Sequence, residues 1–110
     1  MPIIDTAIEG LKVFEPRVFE DDRGYFFESY NYNTFKAGGI DNVFVQDNQS
    51  ASSYGVLRGL HYQVAPFTQA KLVRVLEGEV LDVAVDLRED SPTYGQSFSI
   101  QVNTKTLAIR

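Results

Sequence analysis

The chain predicts an all-β domain, an antiparallel sandwich or jelly-roll barrel. Three observations lead there: many short segments alternate apolar and polar residues, turn signals recur at regular spacing, and no helical period runs to normal helix length.

Taken in order, residues 3–18 hold a short edge strand or two, because residues 8–15 alternate and Pro16 then removes a ladder donor. Residues 20–24 (Glu-Asp-Asp-Arg-Gly) form a turn by composition. Residues 25–30 follow as a compact aromatic strand, with Phe26, Glu28 and Tyr30 on one face. Residues 31–39 allow one helical turn, capped by Asn33 or Thr34 and stopped by Gly38 and Gly39, too short to matter as a helix. Residues 43–50 read as a strand whose second half, with Gln46, Asp47 and Asn48, turns polar and leaves the core. After a loop at 51–55 comes the central stretch. Its later half predicts a hairpin of residues 71–76 with 79–87 about Glu77-Gly78. Residues 91–95 make a turn, Phe98, Ile100 and Val102 alternate in the next strand, and residues 103–105 turn once more. The last residues, 107–110, look like the opening of another strand.

Composition bounds the function. A chain of 110 residues, 44% hydrophobic, is one domain over 1–110 with one core. Its net charge of −5 argues against a nucleic-acid or anionic-membrane surface, so any phosphate must be held locally. No cysteine is present, which excludes disulfides and thiolate zinc sites. The start Met1-Pro2-Ile3 lacks the pattern of a signal peptide, and a cytoplasmic location is the expectation. No run reaches the length of a membrane span.

The central stretch carries the candidate chemistry. The only histidine, His61, stands three residues after Arg58 and ten before Lys71, all amid apolar residues. Strand parity would point Arg58 and His61 to opposite faces, so one pocket for both requires an irregularity at Gly59. The bland alternative leaves Arg58 in solvent, as most arginines are. In the expected hairpin Val73 faces Asp82, and Lys71 lies diagonally from Asp82 within reach; alternatively those two form a rim ion pair without chemistry.

A metal-binding cupin barrel has a glycine, five residues, His-x-His, and later a glutamate six residues before a second glycine. Gly55 to His61 has the first spacing, but Gln63 replaces the second histidine and Lys71 stands near the glutamate's place. One histidine and an ammonium cannot make the usual three-ligand site, so no metal or other cofactor is expected.

With these residues in view, the chain closely resembles the dTDP-4-dehydrorhamnose 3,5-epimerase family of metal-free cupins. The shared signatures are DDRGYFFESYN at 21–31, FVQDNQS at 44–50, VLRGLHYQ at 56–63, KLVRVLEGEVLDVAVDLR at 71–88 and SPTYGQ at 91–96. The resemblance implies a cupin jelly-roll and a dTDP-4-keto-6-deoxy sugar substrate. It implies His61 as general base, with Lys71 and Arg58 as cations near the ketone and phosphates. It also implies Arg23, Phe26, Glu28, Gln46, Asp47 and Asn48 as nucleotide-sugar contacts, Asp82 as a supporting partner of Lys71, and a homodimer in which the N-terminal strands reach across. Abstracting a proton from C3 or C5 sends charge to the C4 oxygen; imidazoles change charge near neutral pH, and a lysine at that oxygen stabilises the enolate.

In the family the acid tyrosine and the aspartate that orients the base come after a proline–glycine–histidine segment, and none of these follows Ile109 here. The expectation is an N-terminal half of the epimerase, a barrel incomplete at its C-terminus, with little or no epimerisation. Two other readings stand beside it: a nucleotide-sugar-binding cupin module without turnover, and a related 4-keto sugar 3-epimerase or ketoisomerase.

Overall fold

A computed structural model describes residues 3–105 in full and the backbone of 107–109; Met1, Pro2 and Arg110, named above, lie outside the described residues. Among the described residues eight strands form three antiparallel sheets, accompanied by one short helix, so the all-β expectation holds. The largest sheet runs β1 (Ile3–Asp5), β2 (Lys12–Phe14), β8 (Leu107–Ile109), β5 (Leu72–Val73). Thus β8, from the far end of the chain, inserts between β2 and β5, pairing Val13 with Ala108 on one side and Leu72 with Ile109 on the other. The two other sheets are hairpins: β3 (Phe19–Asp21) with β4 (Gly24–Phe26), and β6 (Glu79–Val85) with β7 (Ser97–Asn103).

Local chemistry explains several of these boundaries. β2 stops before Pro16. The β3–β4 turn closes where Asp21 Oδ1 accepts from the Arg23 backbone N–H at 2.8 Å, and Gly24 follows at φ +131°, a conformation that side chains disfavour. In β7 the predicted alternation appears as burial: Phe98 and Ile100 are half-buried and Val102 is fully buried, while Ser97, Ser99 and Gln101 are exposed.

The helix departs from expectation twice. α1 (Tyr32–Ala37) is capped by Asn31, not by Asn33 or Thr34: the Asn31 Oδ1 accepts from the backbone N–H groups of both, at 2.9 and 3.2 Å, from an extended φ of −150°. Nor is the helix negligible. It delivers Phe35, 1% exposed, into a cluster with Ile3, Phe14 and Ile40, its ring 4.8 Å from those of both Phe14 and Tyr30. Gly38 permits this packing, since a Cβ there would lie 2.5 Å from Ile3 Cδ1 and 3.0 Å from Ile3 Cβ. Tertiary packing, rather than helix length, stabilises this turn.

The hairpin expected between residues 71–76 and 79–87 does not form. β6 pairs along its whole length with β7, from Glu79–Asn103 to Val85–Ser97, and Asp82 stands across from Ile100 instead of Val73. The two-residue β5 pairs with β8 instead, while β6 is laddered on one edge only among the described residues. The strands expected at 25–30 and 43–50 are also curtailed: the first ends at Phe26, and residues 41–53 contain no regular element.

Past β6, a buried polar knot closes the 86–96 loop. The Asp86 carboxylate, with its side chain 1% exposed, accepts from Ser91 Oγ at 2.5 Å, Thr93 Oγ1 at 2.6 Å and Arg88 Nε at 3.0 Å. Arg88 Nη2 also donates to the Glu9 carbonyl at 2.9 Å, joining this loop to the turn before β2.

Candidate active site

The central stretch has no strand backbone, so the parity argument for Arg58 and His61 does not apply as such. The irregularity it called for is nonetheless present: Gly59 takes φ +121°, a region open to glycine and disfavoured for other residues. Arg58 turns back on the chain. Its Nε donates to Ser52 Oγ at 2.7 Å and its Nη2 to the Ala51 carbonyl at 3.0 Å, which fixes the guanidinium beside the loop that follows the Gln46–Asn48 run. Because the planar fork is held on two sides, its remaining N–H donors have a set direction.

His61 and Lys71 are exposed, and neither side chain forms a hydrogen bond or ion pair among the described residues. The His61 ring lies against the backbone turn, its Nδ1 3.8 Å from where a Gly59 Cβ would sit. Gln46, Asp47 and Asn48 are exposed, and Gln46 Nε2 donates to Asn48 Oδ1 at 3.5 Å, in keeping with their i, i+2 placement. The structure thus ties Arg58 to Ala51 and Ser52 and links Gln46 to Asn48. It joins neither His61 nor Lys71 to them by hydrogen bonds.

Arg23, Phe26 and Glu28 sit on or just after the β3–β4 hairpin, all exposed, with Phe26 at 72%. Arg23 is held by Asp21, which accepts from its Nη2 at 2.6 Å and its Nε at 3.2 Å. That bond raises the Arg23 guanidinium above its ordinary range, and the same bond, reinforced by the Arg23 backbone N–H, lowers the Asp21 carboxyl. An anion arriving at Arg23 must therefore compete with Asp21.

Asp82 is half-buried and lines a small cavity with Leu11, Lys12, Val13, Ala84, Phe98 and Ile100. The register that placed it diagonal to Lys71 is replaced by its pairing with β7. Lys12, on the same cavity, makes a 2.6 Å ion pair with Asp5.

The carboxylate most strongly perturbed by its surroundings is one the motif spacing did not single out. Asp86 is held far below the usual carboxylate range, first by the Arg88 guanidinium and then by the Ser91 and Thr93 hydroxyls. The signal was an aspartate two residues before an arginine and five and seven before two hydroxyls in a turn-rich segment.

The sequence model of dTDP-4-dehydrorhamnose 3,5-epimerase matches residues 5–108, a span containing every candidate residue above. The dTDP-4-dehydrorhamnose 3,5-epimerase of Shigella flexneri is 51% identical over 106 residues, covering 96% of this chain and 59% of that protein. The crystal structure of the Bacillus anthracis enzyme of that name, with TDP and PPi bound, superposes at a TM-score of 0.92 with 42% identity, covering 97% of this chain and 63% of that one. A Legionella pneumophila dTDP-6-deoxy-D-glucose-3,5-epimerase in complex with dTDP-4-keto-L-rhamnose superposes at 0.88 with 49% identity, covering 97% and 58%. The chain thus spans about three fifths of the length of these relatives. A match that runs continuously from β1 to β8, at this identity and with this superposition, places the chain in the dTDP-4-dehydrorhamnose 3,5-epimerase family.

Proposed function

We propose that this chain carries the nucleotide-sugar site and the proton-abstracting side of a dTDP-4-keto-6-deoxy sugar 3,5-epimerase of dTDP-L-rhamnose synthesis. The observation that carries the reading is the unbroken family match over residues 5–108, which takes in both strands of the β3–β4 hairpin and the whole 43–71 stretch. In this reading His61 takes the proton from C3 or C5, and the C–H electron pair moves into the ring as the C4 carbonyl becomes an enolate. Lys71 stands at that oxygen, where a donor aimed at developing charge contributes about 3–4 kcal/mol to the transition state. Arg58, held by Ser52 and Ala51, meets the phosphates, and Arg23, Phe26, Glu28, Gln46, Asp47 and Asn48 contact the nucleotide sugar. The acid that returns a proton on the opposite ring face is not among these residues.

In this reading the site needs no metal, because a single histidine with Gln63 in the second histidine's place and Lys71 near the glutamate's place does not make a three-ligand set. The same reading places the protein in the cytoplasm as one cupin-like domain and as a homodimer. Among the described residues no helix is long and apolar enough to cross a membrane. The exposed β3–β4 hairpin, with Phe19, Tyr25 and Phe26 each more than half exposed, supports the dimer.

The test is incubation with the dTDP-4-keto-6-deoxy sugar in D₂O. Proton abstraction by His61 followed by return from solvent introduces deuterium even without inversion, so the base side is read on its own. The expected result is deuterium at C3 and C5, reduced about 10²–10⁴-fold by His61→Ala. Exchange at C3 alone makes the protein a 3-epimerase, and dTDP binding without exchange leaves a binding module. Exchange that survives His61→Ala overturns the base assignment.

A further inference from the structure

The β3–β4 hairpin forms a two-stranded sheet of its own, with no backbone ladder to either of the other sheets among the described residues. What ties it to the body is a ladder of charges and rings. Lys105, in the turn after β7, donates to Glu20 Oε1 at 2.8 Å and sets its ammonium 5.0 Å from the centre of the Tyr25 ring. Tyr25 stacks on Phe27 at 5.9 Å and 18° between planes. Beyond β5, Arg74 sets its guanidinium 6.0 Å from the Phe27 ring centre and donates from Nη1 to Ser29 Oγ at 3.1 Å. Two cations from distant segments, the turn after β7 and the residue after β5, therefore bracket one aromatic pair, each also hydrogen-bonded to the 20–29 segment that carries the rings.

Within β4, Tyr25 and Phe26 point to opposite faces, and the stacking keeps the Phe27 ring with Tyr25; Glu28 follows directly after Phe27. A grip on Tyr25 and Phe27 sets the height and tilt at which Phe26, Glu28 and, at the turn, Arg23 are presented. We infer that Lys105 and Arg74 are positioning residues for the nucleotide-sugar site, acting through Tyr25 and Phe27 on Arg23, Phe26 and Glu28. This rests on the reading of those three residues as nucleotide-sugar contacts. Neither cation touches the nucleotide in this scheme. Their charge is needed because a neutral side chain of the same length keeps the apolar stem but loses the attraction to the ring face and the bond to Glu20 or Ser29.

The experiment compares the wild-type chain with Lys105→Met, Arg74→Met and Lys105→Arg. Backbone amide hydrogen exchange is measured without ligand and dTDP affinity by calorimetry. A cation over an exposed ring predicts an effect of about 3- to 5-fold for each cation removed. Exchange at residues 19–26 rises by about that factor in both methionine variants, dTDP affinity falls in parallel, the unfolding midpoint is unchanged, and Lys105→Arg retains wild-type values. Unchanged exchange at 19–26 overturns the inference while leaving the site assignment intact. A rise in exchange spread over the whole chain with a lowered midpoint also overturns it, because the cations then act on global stability. If exchange at 19–26 responds but the wild-type chain does not bind dTDP, the site assignment itself fails and the positioning role goes with it.

Discussion

Two regions of this molecule are built on opposite terms. In the N-terminal body, β1, β2 and α1 bring Ile3, Phe14, Phe35 and Ile40 together, each no more than 9% exposed. In the stretch from residue 43 to 71, every residue but Phe44 is exposed, including Val45 and Leu57 at 90%, Leu60 at 76% and Phe67 at 70%. Both regions are rich in apolar residues, so composition does not separate them. What separates them is regular backbone: α1 has its first-turn N–H groups capped by Asn31 and β2 is paired on both sides, whereas the central stretch offers no ladder against which a neighbour can close. The first region is thus a packed core, and the second holds Arg58, His61, Lys71 and the Gln46–Asn48 run in the open.

The contrast is broken most directly at Phe35. Phe35→Ala removes the centre of the cluster and is expected to destabilise by about 3–5 kcal/mol, read by urea or thermal unfolding. A loss under 1 kcal/mol would show that the body is not held by this cluster. The Asp86 knot gives the next effect. Its carboxyl is depressed in the folded state, so its contribution is fully present above the unfolded value near pH 4 and is lost as pH falls from there toward the folded value. The wild-type unfolding midpoint should fall on acidification below about pH 4, and Asp86→Asn should start lower and vary less over that window. Parallel pH profiles for the two proteins would remove Asp86 from the explanation.

Substitution in the open stretch should show the reverse signature. Gly59→Ala forces a side chain into φ +121°, a strain of about 1–3 kcal/mol in a rigid setting, but no packed neighbour prevents the segment from relaxing. The expected outcome is a nearly unchanged unfolding midpoint with at least a roughly tenfold loss of His61-dependent deuterium exchange, since misplacing a base strongly reduces its rate. Unaltered exchange would mean that the Gly59 turn does not place His61. The smallest effect is expected at Leu57→Ala, within about 0.5 kcal/mol of wild type despite the same loss of apolar volume as a core substitution. A larger change there would show that the central stretch is packed in solution.

The candidate site was nominated from residue types and motif spacing, not from contacts. A lone histidine, an arginine and a lysine inside apolar sequence drew notice; strand parity asked for an irregularity at Gly59, and Gly59 takes φ +121° in a segment that has no strand backbone. The 85-residue link from Lys105 to Glu20 and the 45-residue link from Arg74 to Ser29 left no local trace, because neither cation belongs to any spacing pattern with its aromatic partner.

From the sequence alone came the all-β class, the alternation of β7, turns within 20–24 and 91–95, and a strand beginning at 107, all of which depend on neighbours within a few residues. Only the tertiary structure decided that β6 joins β7 and not β5, that Asp82 faces Ile100, and that a six-residue helix carries the core. The physical reason is common to all three. Parity and turn chemistry say which way a side chain points, but strand partners and helix survival depend on which distant surface completes the longest ladder and buries the most apolar area.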